Sequence, residues 1–142
     1  MRIQMTMALM LISTSAGAAD MHCTALHVIE NTAGKVYATY KINIKDNKGV
    51  FNIDARFEGD DDKKMISRQI FLTAERISDT GYVFTAKKIK TNPSETIKEV
   101  SSLINFYPDF FWQQDKSTAF SIKRHQNSHI MSWSAEPMFF CY

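Results

Sequence analysis

The chain of 142 residues carries two cysteines, Cys23 and Cys141, which stand at opposite ends of what remains once its first residues are set aside. Those first residues read as a secretory signal: Arg2, an apolar stretch from Met5 to Ile12, then Ala16-Gly17-Ala18-Ala19 as small-residue cleavage context. Export carries thiols into an oxidising compartment, where a pair is expected to be bonded. A Cys23–Cys141 bridge ties the first strand to the last residues and encloses about 117 others. In the chain-entropy model such a loop is worth roughly 4 to 5 kcal/mol, less any strain in the native geometry. The fold has to bring its two ends together.

Taking residues 1–19 as the leader leaves 20–142, about 123 residues, enough for one domain with a real core and too few for two. Charge is nearly balanced: 17 basic residues against 15 acidic, or 16 against 15 once Arg2 is removed with the leader. That balance argues against nucleic acid as a partner, which calls for a strongly basic face. Lys87, Lys88 and Lys90 form one small basic patch, and lysines on a solvated strand edge account for it. The apolar leader is shorter than the roughly 20 residues that span a bilayer, so a cleaved signal is expected, with an uncleaved anchor as the alternative. Asp20-Met21-His22 lacks the small residues of a lipid-attachment signal before Cys23. Export out of the cytoplasm is expected.

The rest of the chain reads mostly as strands. Val36, Ala38, Tyr40, Ile42 and Ile44 alternate with polar or wetter neighbours, and Phe51, Ile53, Ala55 and Phe57 do so again after Asp46-Asn47-Lys48-Gly49. Period two over such lengths marks strands with one buried face, here joined as a hairpin in which Gly49 is expected at the turn. Further strands are expected over Cys23–Glu30, Met65–Ala74, Tyr82–Ile89, Ser117–Arg124 and His129–Ala135. Asn92-Pro93-Ser94-Glu95 has the pattern of a capping box, and Ile97, Val100, Leu103 and Ile104 fall on one helical face, which predicts a helix near residues 93–105. Seven strands and one late helix, with short turns between antiparallel neighbours, predict a mainly-β fold. Its form is a small antiparallel barrel or strongly twisted meander of the calycin or lipocalin kind; two sheets packed face to face would show similar alternation.

No phosphate loop, Gly-x-Ser-x-Gly elbow or His-Glu-x-x-His motif is present, so neither an enzyme nor a cofactor is expected. His125 and His129 flank a three-residue loop and could face each other across a hairpin, but a zinc site needs at least one further ligand, which the sequence does not supply. Glu58 with Asp60, Asp61 and Asp62 lacks the ligand alternation of a calcium loop and reads as a solvated turn. Aromatic side chains gather in two segments: Phe106, Tyr107, Phe110, Phe111 and Trp112 after the expected helix, and Phe139, Phe140 and Tyr142 at the C-terminus. Three readings stay open for them: the core of the domain, a partner surface, or the mouth of an apolar cavity.

Several short motifs extend this reading. They are Cys23 opening the first strand, Asn47-Lys48-Gly49-Val50, Ser67-Arg68 leading into Gln69–Thr73, Gly81-Tyr82, Tyr107-Pro108-Asp109-Phe110-Phe111, and Pro137-Met138-Phe139-Phe140-Cys141. With these the chain resembles the FidL-like family of enterobacterial envelope proteins, similar in setting to co-components of the VtrC and ToxS type. The resemblance implies a periplasmic binding module that pairs with and stabilises a ToxR-type membrane-bound transcription regulator and takes part in sensing a bile-salt-like or lipid ligand. It implies structural or interface roles for Phe110, Phe111, Phe139 and Phe140, and none that can be named for Arg68. Relatives keep an N-terminal membrane anchor, whereas the leader here is shorter. The competing functions are a free-standing carrier of a small apolar ligand and a secreted inhibitor or immunity-type protein.

Overall fold

The structure is a computed structural model that describes residues 19–32, 34–58, 63–96, 106–134 and 138–142. Eight antiparallel strands follow one another round a closed barrel: β1 (Met21–Asn31), β2 (Gly34–Lys45), β3 (Lys48–Glu58), β4 (Lys63–Arg76), β5 (Gly81–Thr91), β6 (Ser117–His125), β7 (Ser128–Ser132) and β8 (Met138–Cys141). The small antiparallel barrel expected from the alternation is the fold. Its strands are long where the period-two pattern is long: Met21, Cys23, Ala25, His27 and Ile29 point inward from β1 while their neighbours are exposed. Full closure removes the open edges that make isolated sheets sticky.

The two-residue loop Asp46-Asn47 joins β2 to β3, and both residues take positive φ (51° and 66°), the conformation that matches the twist of a tight hairpin. Gly49, expected at the turn, lies instead inside β3 opposite Ile44. A Cβ there would come within 2.7 Å of the Ile44 Cα and closer still to the Asn43 carbonyl, so close backbone approach, not turn geometry, demands glycine. The eighth strand, Met138–Cys141, was not expected as one. It pairs with β7 over Ser132↔Met138 to His129↔Cys141 and with β1 at Ala25↔Cys141. The Cys23–Cys141 disulfide forms across this seam, with Cα atoms 5.2 Å apart.

The barrel ends differ. One carries the three short links β2–β3, β4–β5 and β6–β7; the other carries the link from β5 to β6. The described part of that link folds back into the interior. Phe106 packs on Phe57 with ring centroids 5.4 Å apart, and Phe111 on Phe51 at 5.2 Å. Where the helix near 93–105 was expected, the described residues form a turn at Pro93–Ser94 and then irregular backbone, with Thr96 donating its amide to the Met65 carbonyl; residues 97–105 lie outside the described residues. A short 3₁₀ turn, Asp109–Phe111, lies further along the same link.

Candidate functional site

Of the seven aromatic residues singled out as a partner or ligand surface, Phe106, Tyr107, Phe110, Phe111, Trp112 and Phe139 are buried, Phe110 and Phe111 completely. They fill the barrel together with Tyr40, Phe51, Phe84 and Phe120. Phe84 and Phe120 pack at 4.5 Å, Phe110 and Phe111 edge to face at 5.1 Å, geometries that add to simple area burial. Six of the seven are therefore core. Phe140, half exposed at 47 %, is the one on the outside.

Within this apolar interior runs one polar chain. The Tyr40 hydroxyl is 2.8 Å from His27 Nδ1 and 2.9 Å from the Tyr107 hydroxyl. Every hydroxyl proton is used when Tyr107 donates to Tyr40 and Tyr40 to Nδ1, which leaves the ring proton on Nε2. That Nε2 is buried with no hydrogen-bond partner among the described residues; the rings of Phe139 and Trp133 lie 4.8 and 5.3 Å from the imidazole. Burial lowers the His27 pKa to about 4 and pushes both phenols above the ordinary tyrosine range. The chain links β1, β2 and the β5–β6 link, so it fixes how the link seats in the barrel. His27 stood out from the sequence only as one of four histidines, although its place on the apolar parity of β1 was readable.

Arg68, to which the sequence assigned no role, is a second fastening. Its guanidinium makes a two-pronged contact with the Glu95 carboxylate at 2.6 and 3.0 Å, donates to the Phe111 carbonyl at 3.4 Å, and stacks 4.9 Å over Trp112. Both partners are nearly buried. Glu95, read as the second half of a capping box, spends its carboxylate on Arg68 instead. Asn92 donates to Ser67 Oγ, which donates in turn to Asp54 at 2.5 Å.

The two histidines of the β6–β7 hairpin do not meet. His125 pairs with Ser128 and His129 with Arg124, so the rings point to opposite faces of the sheet. No group of three or more His, Cys, Asp or Glu is placed to hold a metal ion among the described residues. The acidic run Asp60–Asp62 lies outside the described residues.

The outside of the β1–β8 seam is apolar. Leu26 (78 % exposed) and Val28 (53 %) on β1 face outward beside Phe140 and Tyr142 (73 %). The last two rings stack at 6.4 Å, and the four side chains line a shallow groove of about 360 Å³. Main-chain hydrogen bonds between Thr24 and Tyr142, at 2.8 and 2.9 Å, hold the groove's lower edge. Sequence reasoning found Phe140 and Tyr142 but not their β1 neighbours, because register alone brings the chain ends side by side.

A protein-family model described as the YqeJ C-terminal domain matches residues 20–141. No curated protein and no solved structure gives a significant match.

Proposed function

The chain belongs to the YqeJ C-terminal domain family, and we propose that it is an exported, periplasmic binding module that docks on the periplasmic part of a membrane-bound transcription regulator and stabilises it. The observation that carries this reading is the apolar seam: four large side chains, contributed by the two chain ends, held exposed on a disulfide-stapled rim. Large apolar residues gathered on a rigid surface, rather than scattered, mark a contact for another protein. The interior is filled by aromatic rings in mutual contact, which leaves the outer face as the place for a macromolecule to engage. The resemblance to FidL-like envelope proteins supplies the kind of partner.

The test is co-expression with a regulator's periplasmic domain, followed by size-exclusion chromatography. The two co-elute on this reading, and Leu26→Glu or Tyr142→Glu separates them. Each substitution costs about 2 kcal/mol, near thirtyfold in Kd, if these residues anchor the contact. Both positions are exposed, so near-UV circular dichroism of the variants stays that of the parent. Co-elution that survives both substitutions contradicts the docking face.

A further inference from the structure

Asn47, in the two-residue turn between β2 and β3, gathers the start of the chain. Its side-chain Oδ1 accepts the Ala19 amide at 2.7 Å, its own amide donates to the Ala19 carbonyl at 3.3 Å, and its carbonyl accepts the Ala74 amide of β4 at 2.8 Å. We propose that the leader is removed by hydrolysis of the Ala18–Ala19 peptide bond, and that the ammonium so formed on Ala19 is held by Asn47 as part of the fold at the open end of the barrel. The processed domain then begins at Ala19, one residue earlier than the 20–142 taken from the sequence.

Two bonds satisfy the small-residue pattern of a leader peptidase, which reads the residues one and three places before the cut. Ala16 and Ala18 fit a cut before Ala19; Gly17 and Ala19 fit a cut before Asp20. The fold separates them. Ala19 is buried and forms two reciprocal hydrogen bonds with Asn47. The Asp20 carboxylate adds a third by accepting the Asp46 amide at 2.9 Å. A cut before Asp20 discards the Ala19 side of this clasp and strips Asn47 of two hydrogen bonds. A cut before Ala19 keeps all of it.

In the hydrolysis, water adds to the Ala18 carbonyl carbon and the C–N bond to Ala19 breaks. Ala18 departs with the leader as a carboxylate, and the Ala19 nitrogen becomes an amine that takes up a proton. The N–H that bonds Asn47 Oδ1 is then one of three donors on a cation, and a charged donor on the same oxygen makes a shorter and stronger bond. The charge has a suitable setting. Ala19 lines a cavity of about 380 Å³ that the carboxylates of Asp20 and Asp79 also line, so the ammonium is neither sealed in the core nor far from acids. Arg76 and Arg124 share that cavity and oppose it, with Asp79 offsetting Arg76 at 3.6 Å. A peptidase binds its substrate extended, and a clasped, buried Ala19 cannot enter its active site, so cleavage precedes closure of this end.

The experiment is intact-mass spectrometry of the full 142-residue chain, expressed with its own leader and recovered from the envelope of an export-competent bacterium. The expected mass is that of residues 19–142. Ala18→Leu blocks the cut and leaves the precursor, whereas Ala19→Leu, one place after the scissile bond, is still processed at the same bond. A cut before Asp20 reverses those two results; that outcome, or a parent chain that keeps its leader, overturns the proposal. Urea unfolding of Asn47→Ala in the 19–142 and 20–142 forms, both of which keep all eight strands, tests the clasp. The substitution lowers the folding constant about tenfold more when Ala19 is present, the scale of one hydrogen bond to a charged group. The strain of alanine at a positive φ (66°) is common to both forms and cancels. An equal loss in the two forms overturns the role given to the ammonium. The inference shares only export with the proposed function, and the masses are read without any partner, so its failure leaves the docking face standing.

Discussion

His27 shows how much a single buried ring constrains. Its pKa is about 4 in the folded protein against about 6.5 in an unfolded chain. Between those values the unfolded state holds a proton that the folded state does not, so stability rises with pH through this window. The contribution is complete above about pH 6.5 and falls by up to roughly 3 kcal/mol as the pH drops to about 4. Urea unfolding across this range should show that slope, and His27→Gln should flatten it; equal slopes in the two proteins would contradict the assignment. Arg68 and Glu95 make a sharper case. Removing one member of a buried pair strands the other, at about 3 to 5 kcal/mol, so Arg68→Ala should lower unfolding stability by that amount. A loss below about 1 kcal/mol would mean the pair is solvated in solution. Neither role was legible from the sequence. A histidine on an apolar parity has no visible partner when Tyr40 and Tyr107 are 13 and 80 residues away, and Glu95 fitted a local capping pattern better than a distant arginine.

At the scale of elements, the sequence spoke clearly wherever structure repeats. The rows on β1, β2 and β3 follow the alternation, because a strand with one wet face must alternate. It spoke poorly where an element is short or buried on all sides. β8 offers only Met-Phe-Phe-Cys, too few residues for a period. The run Phe106–Trp112 has no period because the barrel surrounds it. Its aromatic content was read as core, partner surface or cavity mouth, and burial decides for core. Phe111→Ala should then cost about 3 to 5 kcal/mol in unfolding free energy, whereas a partner-surface residue would cost almost nothing. The seam depends on the staple because its ladder is short, the Ala25↔Cys141 pair continued by the two Thr24–Tyr142 hydrogen bonds. Replacing Cys23 and Cys141 together by Ser should lower stability by roughly 4 kcal/mol. Hydrogen exchange should rise first at Thr24, Leu26 and Tyr142; uniform loss of protection would contradict a local opening.

Over the whole molecule, the closed barrel has faces of different character. The interior is filled with aromatic rings, the described part of the β5–β6 link packs into one end, the other end opens as a cavity with charges of both signs at its rim, and the apolar seam lies on the outer wall. No helix among the described residues is long and apolar enough to cross a membrane. A small antiparallel barrel was legible from the alternation and the short turns, but its closure, as against two sheets packed face to face, was not. The seam was not, since it exists only after closure sets Leu26 and Val28 beside Phe140 and Tyr142. The most direct measurement is an NMR titration of the isotope-labelled protein with the regulator's periplasmic domain. The account predicts shifts concentrated at Thr24–Val28 and Phe139–Tyr142, with the methyls of Ile44 and Ile122 at the other end of the barrel unmoved. Shifts centred on Ile44 and Ile122, or none at all, would contradict it.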